Sequence, residues 1–272
     1  MNKMQTNLIG ILLLSTAGIF NGVSLHAQVP DVSKRIVQVK GTDMQSRPFQ
    51  TDIKYDENGR PVQLDLFKEI VYKENGISGT ATLRNPLSLI NCDLLLKNGQ
   101  PAVWVASYYC DSLRQSETMK VSLGKFRQDG DTLVLESMVY LEPGHELTGV
   151  CTTRWITDKT GRLKKRIRTE EGENTTHTSV VYHYDEKHSC TDIPTAYFVW
   201  RSQPEELLLL LSGHLPGMLR NMPSRFDVGG STEKSLEAVN EYDGEGACIG
   251  SLLKDGNKTV SEIRFEYETK PD

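Results

Sequence analysis

A short phrase recurs four times in this chain of 272 residues: an aromatic or β-branched residue, then a polar turn containing an acid and closed by glycine. The copies are Tyr55-Asp56-Glu57-Asn58-Gly59-Arg60, Tyr72-Lys73-Glu74-Asn75-Gly76, Thr157-Asp158-Lys159-Thr160-Gly161-Arg162 and Tyr242-Asp243-Gly244-Glu245-Gly246. Asn-Gly between alternating apolar residues is a strong local hairpin signal, because both central positions of a type I′ turn need positive φ. Repeated hairpins along one chain build an antiparallel meander. The phrase therefore specifies architecture and names no chemistry.

Between the turns, strand signals dominate. They begin at Lys34 to Lys40, give at least three strands between Phe49 and Leu83, and leave Arg84 to Pro101 as a less regular connection with a strand at Cys92 to Leu96. Ala102 to Cys110, Thr118 to Arg127, Thr132 to Leu141, Glu146 to Ile156, Leu163 to Thr169 and Thr176 to Tyr184 follow as successive strands. In the last strand, Ile263, Phe265 and Tyr267 alternate with Glu262, Arg264, Glu266 and Glu268, the period-two split of a half-buried sheet. One segment breaks the pattern. Ser202-Gln203-Pro204-Glu205 reads as a helix start with Ser202 as N-cap, and Leu207 to Leu211 continue it. The fold class is all-β with one or two short helices: an antiparallel meander forming a soluble barrel, half-barrel or sandwich. Residues 28–272 form one such domain, with a helical insertion near 202–223.

Residues 1–27 read as a secretory signal peptide, with Lys3 first, the apolar run Leu8 to Phe20 next, and a cleavage site between Ala27 and Gln28. Beyond it no segment approaches the roughly 18 consecutive apolar residues of a spanning helix. The expected location is secreted or periplasmic, with no integral membrane span after removal of the leader. The net charge is −5, and loss of Lys3 makes it one unit more negative, which argues against nucleic acid. The basic run Arg162, Lys164, Lys165, Arg166 and Arg168 alternates with Leu163 and Ile167 and reads as a solvated strand face. The five cysteines, Cys92, Cys110, Cys151, Cys190 and Cys248, match no zinc or thioredoxin spacing; they allow at most two disulfides or a set of buried thiols.

No residue is singled out as catalytic, and no cofactor is implied. His183, Asp185 and His188 are weak metal-ligand candidates, because a strand puts the first two on one face and the third falls in the next loop. An enzyme with a dispersed hydrolase-type site would need His183 or His145 to meet a carboxylate or thiol in a cleft; scatter of these residues over the exterior would count against it. The leucines from Leu207 to Leu211 circle the helix, so it is either buried against the sheet as a plug or poised as a lid, with Leu215, Met218 and Met222 extending its apolar surface. Trp104, Tyr108, Tyr109, Trp155, Tyr197, Phe198 and Trp200 are strand packing or recognition platforms. The ligand- or partner-binding candidates are Leu207, Leu211, Leu215, Met218, Trp104, Tyr108, Trp155 and Trp200.

The phrase at Tyr55-Asp56-Glu57-Asn58-Gly59-Arg60 resembles the tyrosine-aspartate repeats of Rhs-type secreted shells, and the chain as a whole resembles exported bacterial proteins of unknown function with a porin-like or meander fold. That resemblance implies a β-meander and no activity. The leading functional expectation is a secreted or periplasmic, non-enzymatic binding or structural module whose partner is a protein, a glycan or an apolar ligand. The second is a carrier of a small apolar ligand in a β cavity closed by the leucine-rich helix; the third is the dispersed-site enzyme.

Overall fold

Period-two alternation becomes sheet along nearly the whole chain. The computed structural model describes residues 34–84, 87–110, 118–141, 144, 146–172, 174–190, 192–200, 203–215, 221–231 and 233–269. The strands are β1 (Lys34–Thr42), β2 (Pro48–Asp52), β3 (Lys54–Tyr55), β4 (Pro61–Gln63), β5 (Phe67–Lys73), β6 (Gly76–Arg84), β7 (Leu87–Lys97), β8 (Gln100–Cys110), β9 (Thr118–Asp129), β10 (Thr132–Leu141), β11 (Glu146–Thr157), β12 (Leu163–Glu171) and β13 (Thr176–Tyr184). Two helices follow, α1 (Ile193–Trp200) and α2 (Pro204–Leu211), and then β14 (Pro223–Gly229), β15 (Lys234–Tyr242), β16 (Cys248–Asp255) and β17 (Lys258–Thr269).

From β5 to β17 every strand pairs with its sequence neighbours in a single antiparallel sheet of 15 strands, and β1 then pairs with β17, leaving β2 and β5 as the two edges. The ladder is therefore open, and the small β3–β4 hairpin lies in the chain between its two edge strands. The sheet nevertheless curls, as its contacts with the helices show. Phe198 of α1 stacks on Phe49 of β2 and packs edge-on against Phe265 of β17. Glu206 of α2 receives hydrogen bonds from Trp155 of β11 and Arg166 of β12, and α2 also packs against β6 and β7. Strands from both ends and the middle of one sheet reach a single helix pair only if the sheet wraps around it.

The leucine helix is consequently the centre of the core. Leu207, Leu208 and Leu209 are fully buried, Leu210 nearly so, and they join Ile36, Ile90, Trp155 and Ile263 in one apolar cluster. Sequence reasoning placed the helix start one residue early. Gln203 is the N-cap, Pro204 the first helical residue, and the Gln203 N–H donates to Glu206 Oε2 at 2.8 Å. It missed α1, whose Ile, Tyr, Phe, Val and Trp side chains mimic a strand. The cap in Asp192-Ile193-Pro194-Thr195 is the overlooked signal, with the Thr195 N–H and hydroxyl both donating to the Asp192 carboxylate.

The turn phrase is not a type I′ turn. Gly59, Gly161 and Gly246 have positive φ, whereas Asn58 and Asn75 do not. In its place the aspartate organises a longer loop: the Asp158 carboxylate accepts from the N–H groups of Thr160 and Arg162 and from the Arg162 guanidinium. Asp56 does the same with Asn58 and Arg60. Such an Asx loop needs only one left-handed residue. A further copy, unread in the sequence, is the Asp43 to Arg47 turn, where Ser46 takes the glycine's place at φ 60°. The type I′ signature belongs to Asn98-Gly99, with φ of 52° and 71°, which joins β7 to β8 through a segment that sequence reasoning left irregular.

Three of the four phrases' turns are also latched by a tyrosine hydroxyl, and Tyr55 makes a similar contact at the start of β1. The Tyr72 hydroxyl donates to Pro61 O with Arg60 over its ring at 4.2 Å; Tyr184 donates to Leu163 O beneath Arg162; Tyr55 donates to Ile36 O beneath Arg35; and Tyr267 donates to Cys248 O. Tyr72, which opens the second phrase, thus secures the turn of the first.

Candidate functional site

Most of the concave face is filled by large side chains, but one part is carved out by small ones. Directly opposed residues of antiparallel strands share a face. One row across the sheet therefore runs Ala106, Ser122, Val139, Gly149; the next runs Trp104, Gly124, Ser137, Cys151, Glu170; and a third runs Leu135, Thr153, Arg168. The absence of a side chain at Gly124 makes room for Leu135, since a Cβ there would lie 2.6 Å from Leu135 Cδ1 and 3.0 Å from Ser137 Cβ and the leucine would have to shift. Between these rows and the first residues of α2 opens a recess of about 420 Å³. Ser122, Ser137, Thr148, Thr153 and Thr176 supply hydroxyls to its lining, and Trp104 and Tyr108 supply rings.

The wall formed by α2 is anchored by two ion pairs. Arg166 Nη1 meets both carboxylate oxygens of Glu206 at 2.8 and 2.9 Å, and Arg168 Nη1 meets Glu205 Oε1 at 2.8 Å while its Nε donates to Glu170. Glu206 is only 1% exposed, and the Trp155 indole N–H completes its shell at 2.8 Å. Burial pushes the Glu205 carboxyl above its ordinary range, with Arg168 opposing that rise. Burial also works against the charges of Arg166 and Arg168, but the facing glutamates outweigh it and raise both above the usual arginine value.

The inward direction of these arginines overturns the reading of their strand as a solvated basic face. Leu163 faces the core as expected, but the β11–β12 register shifts between the Thr157–Leu163 and Ile156–Lys165 pairs, so Lys164 is an extra residue. This bulge inverts the alternation, bringing Arg166 and Arg168 inside and turning Lys165 and Ile167 away.

The fold has a solved counterpart. A porin-like protein from Bacteroides vulgatus ATCC 8482 superimposes with a TM-score of 0.68 over 86% of this chain and 99% of its own, at 14% identity. A porin-like protein from Bacteroides uniformis ATCC 8492 aligns with a TM-score of 0.49 over 87% of this chain and 97% of its own, at 10% identity. No family model matches the sequence, and no curated protein matches it. The likeness establishes the meander fold and leaves the chemistry of the recess to its residues.

Of the sequence-derived binding candidates, Trp104 and Tyr108 line the recess. Trp155 is fully buried beneath α2, Leu207 and Leu215 lie in the core, and Leu211 is half-buried against it. The side chain of Trp200 and all of Met218 lie outside the described residues, as do Ala27, Gln28 and His145. The helix contributes to the recess through Gln203, Pro204 and Glu205, not through its leucines. Sequence reasoning passed over Ser122, Ser137, Thr153 and Arg168; the signal available was the run of small residues where neighbouring strands place large ones.

The histidines point elsewhere. His183 pairs with Asp227 at 2.5 Å and also contacts Arg225, while Asp185 pairs with His188, whose ring stacks on Tyr242 at 3.9 Å. His183 and Asp185 thus take different partners, and among the described residues no three His, Cys, Asp or Glu side chains converge in a metal-binding group. Cys92, Cys151, Cys190 and Cys248 are free and buried, and the Cys110 side chain lies outside the described residues. Burial raises the thiols of all four, those of Cys92 and Cys248 to about 12, so they remain protonated at neutral pH. No helix of the described residues is long and apolar enough to cross a membrane.

Proposed function

We propose that this protein is an exported, non-enzymatic binding module that holds a small hydroxylated ligand of the saccharide class in the recess beside α2. The observation carrying this reading is the lining itself: two aromatic side chains and a field of hydroxyls, backed by fixed ion pairs, in a space walled by strands and a helix end. Aromatic faces pack on the apolar faces of sugar rings, and placed hydroxyl and charged groups orient them. The apolar-carrier alternative has less support, because the interior that such a carrier would keep empty is filled by Leu207 to Leu210. Export rests on the leader at 1–27. The outer face agrees with an aqueous location, since Arg35, Lys40 and Arg264 pair there with Glu268, Glu266 and Glu241.

Isothermal titration of the purified protein against a panel of mono- and disaccharides, together with a Ser137→Phe variant that fills the recess, tests the proposal. Binding that is lost in the folded variant supports it; binding that survives the filling, or no binding by any sugar at millimolar concentration, overturns it. Intact mass of the exported protein tests the leader, with Gln28 expected as the first residue.

A further inference from the structure

The two walls of the recess differ in how their polar groups are satisfied. On the β12 and α2 side, Arg168 is held between Glu205 and Glu170, one guanidinium against two carboxylates, and Glu171 adds a further acid to the lining. On the β8 and β9 side, four groups lie together with no such match. Trp104 and Ser122, both more than nine-tenths buried, make no side-chain hydrogen bond to another described residue. The Tyr108 hydroxyl makes none either, and burial, reinforced by Glu205, holds its phenol up at about 12. Lys120 sits directly opposite Tyr108 in the ladder, with Nζ 5.4 Å from the centre of its ring, and has no carboxylate partner among the described residues.

Their donor chemistry has one sign. An indole N–H only donates, an ammonium only donates, and a protonated phenol and a serine hydroxyl both can. A wall of donors that opens into the recess, with the exposed ammonium of Lys120 and no acid of its own, asks for an acceptor of negative charge. Of the acids on the opposite wall, Glu170 and Glu171 are on β12, three strands from Lys120 and roughly 14 Å along the sheet at the ~4.8 Å strand spacing, while Glu205 on α2, whose charge reaches Tyr108, is engaged by Arg168.

We infer that the ligand carries a carboxylate seated on the Trp104, Tyr108, Lys120 and Ser122 wall: the recess takes a sugar acid, with the hydroxylated body of the ring directed toward Ser137, Thr153 and the α2 end. This specification rests on the saccharide reading above.

Titration with glucuronate and with glucose, which differ in a carboxylate replacing a hydroxymethyl group, separates the two claims. Glucuronate should bind at least about tenfold more tightly than glucose at low ionic strength, the size of one charge-assisted hydrogen bond. Added salt should narrow the preference. Lys120→Gln should bring the ratio close to one, and Tyr108→Phe should reduce it in part, with folding of each variant confirmed by circular dichroism. Equal binding of the two sugars in the unmodified protein, abolished by Ser137→Phe, would overturn the carboxylate and leave the saccharide site standing. A preference that Lys120→Gln does not alter would place the carboxylate elsewhere and likewise overturn the inference. If neither sugar binds, both readings fail together.

Discussion

The sheet treats its two helices differently. Beside α1 the inner face offers Phe49 and Phe265 to Phe198, with the fully buried Ile263 on β17 and Ile36 on β1 between the two anchoring strands. Beside the start of α2 it offers Ser122, Gly124, Ser137, Cys151 and Thr153. The backbone scaffold is the same antiparallel ladder in both places, so side-chain volume alone decides whether the sheet makes core or a recess. Keeping the second region open forgoes apolar burial worth about 1.5–3 kcal/mol for each large side chain that could have filled it. The ion pairs of Arg166 and Arg168 hold the helix end where packing does not.

The sharpest way to break this contrast is to cut into each region and compare denaturant midpoints. Phe198→Ala should cost about 3–5 kcal/mol as a cavity opens among the rings of β2 and β17. Ser137→Ala, deep on the other side, should cost under about 1.5 kcal/mol, since it removes one hydroxyl hydrogen bond to Cys151 O and little packing. Equal costs would mean that the recess collapses in solution. Glu206→Ala should cost a similar 3–5 kcal/mol although no large apolar group is lost, because it leaves Arg166 and the Trp155 N–H without their acceptor. A small effect there would show that packing, not the ion pair, places α2.

Smaller effects probe the scaffold shared by both regions. Desolvation works to raise the carboxyls of Asp56 and Asp158, but hydrogen bonds from their own turns overcome it and hold both below the ordinary range. An acid depressed in the folded state stabilises it fully above its unfolded value, near pH 4, and loses that contribution as the pH falls through the folded value. The contribution of these two aspartates should therefore be level from neutral pH to about 4.5 and decline below about 4, with a shallower decline in Asp158→Asn. Tyr184→Phe, which removes the hydroxyl latch to Leu163 O, should cost about 0.5–1.5 kcal/mol. If it costs nothing, the latches guide assembly without holding the finished sheet.

The scaffold was readable in the sequence where a rule of local chemistry applied. Alternation in Ile263, Arg264, Phe265, Glu266 and Tyr267 sorted the two faces of β17 correctly, and the break near Gln203 located α2. Readability failed where a single extra residue changed the outcome: at Lys164 one bulge turned a basic outer face into the recess's charged anchor. It failed also where strand-like composition folds as helix in α1, because tertiary burial overrides propensity for a segment apolar on every side. The recess itself left only a negative trace, the smallness of Ser122, Gly124 and Ser137 on strands whose neighbours carry leucine and tryptophan. Emptiness of this kind acquires meaning only once the register of β9, β10 and β11 is known.

The pairing of β1 with β17 has a consequence in time. Arg35 and Glu268, 233 residues apart, are joined across this ladder, so β1 can pair early only with β2 and joins the rest of the sheet once β17 has been made. Until then Ile36 and Val39, both fully buried in the finished protein, stay exposed together with β2. A chain delivered from its N-terminus therefore cannot complete its sheet piecemeal. It must wait for β17, and during that interval β1 and β2 are the part most in need of a chaperone.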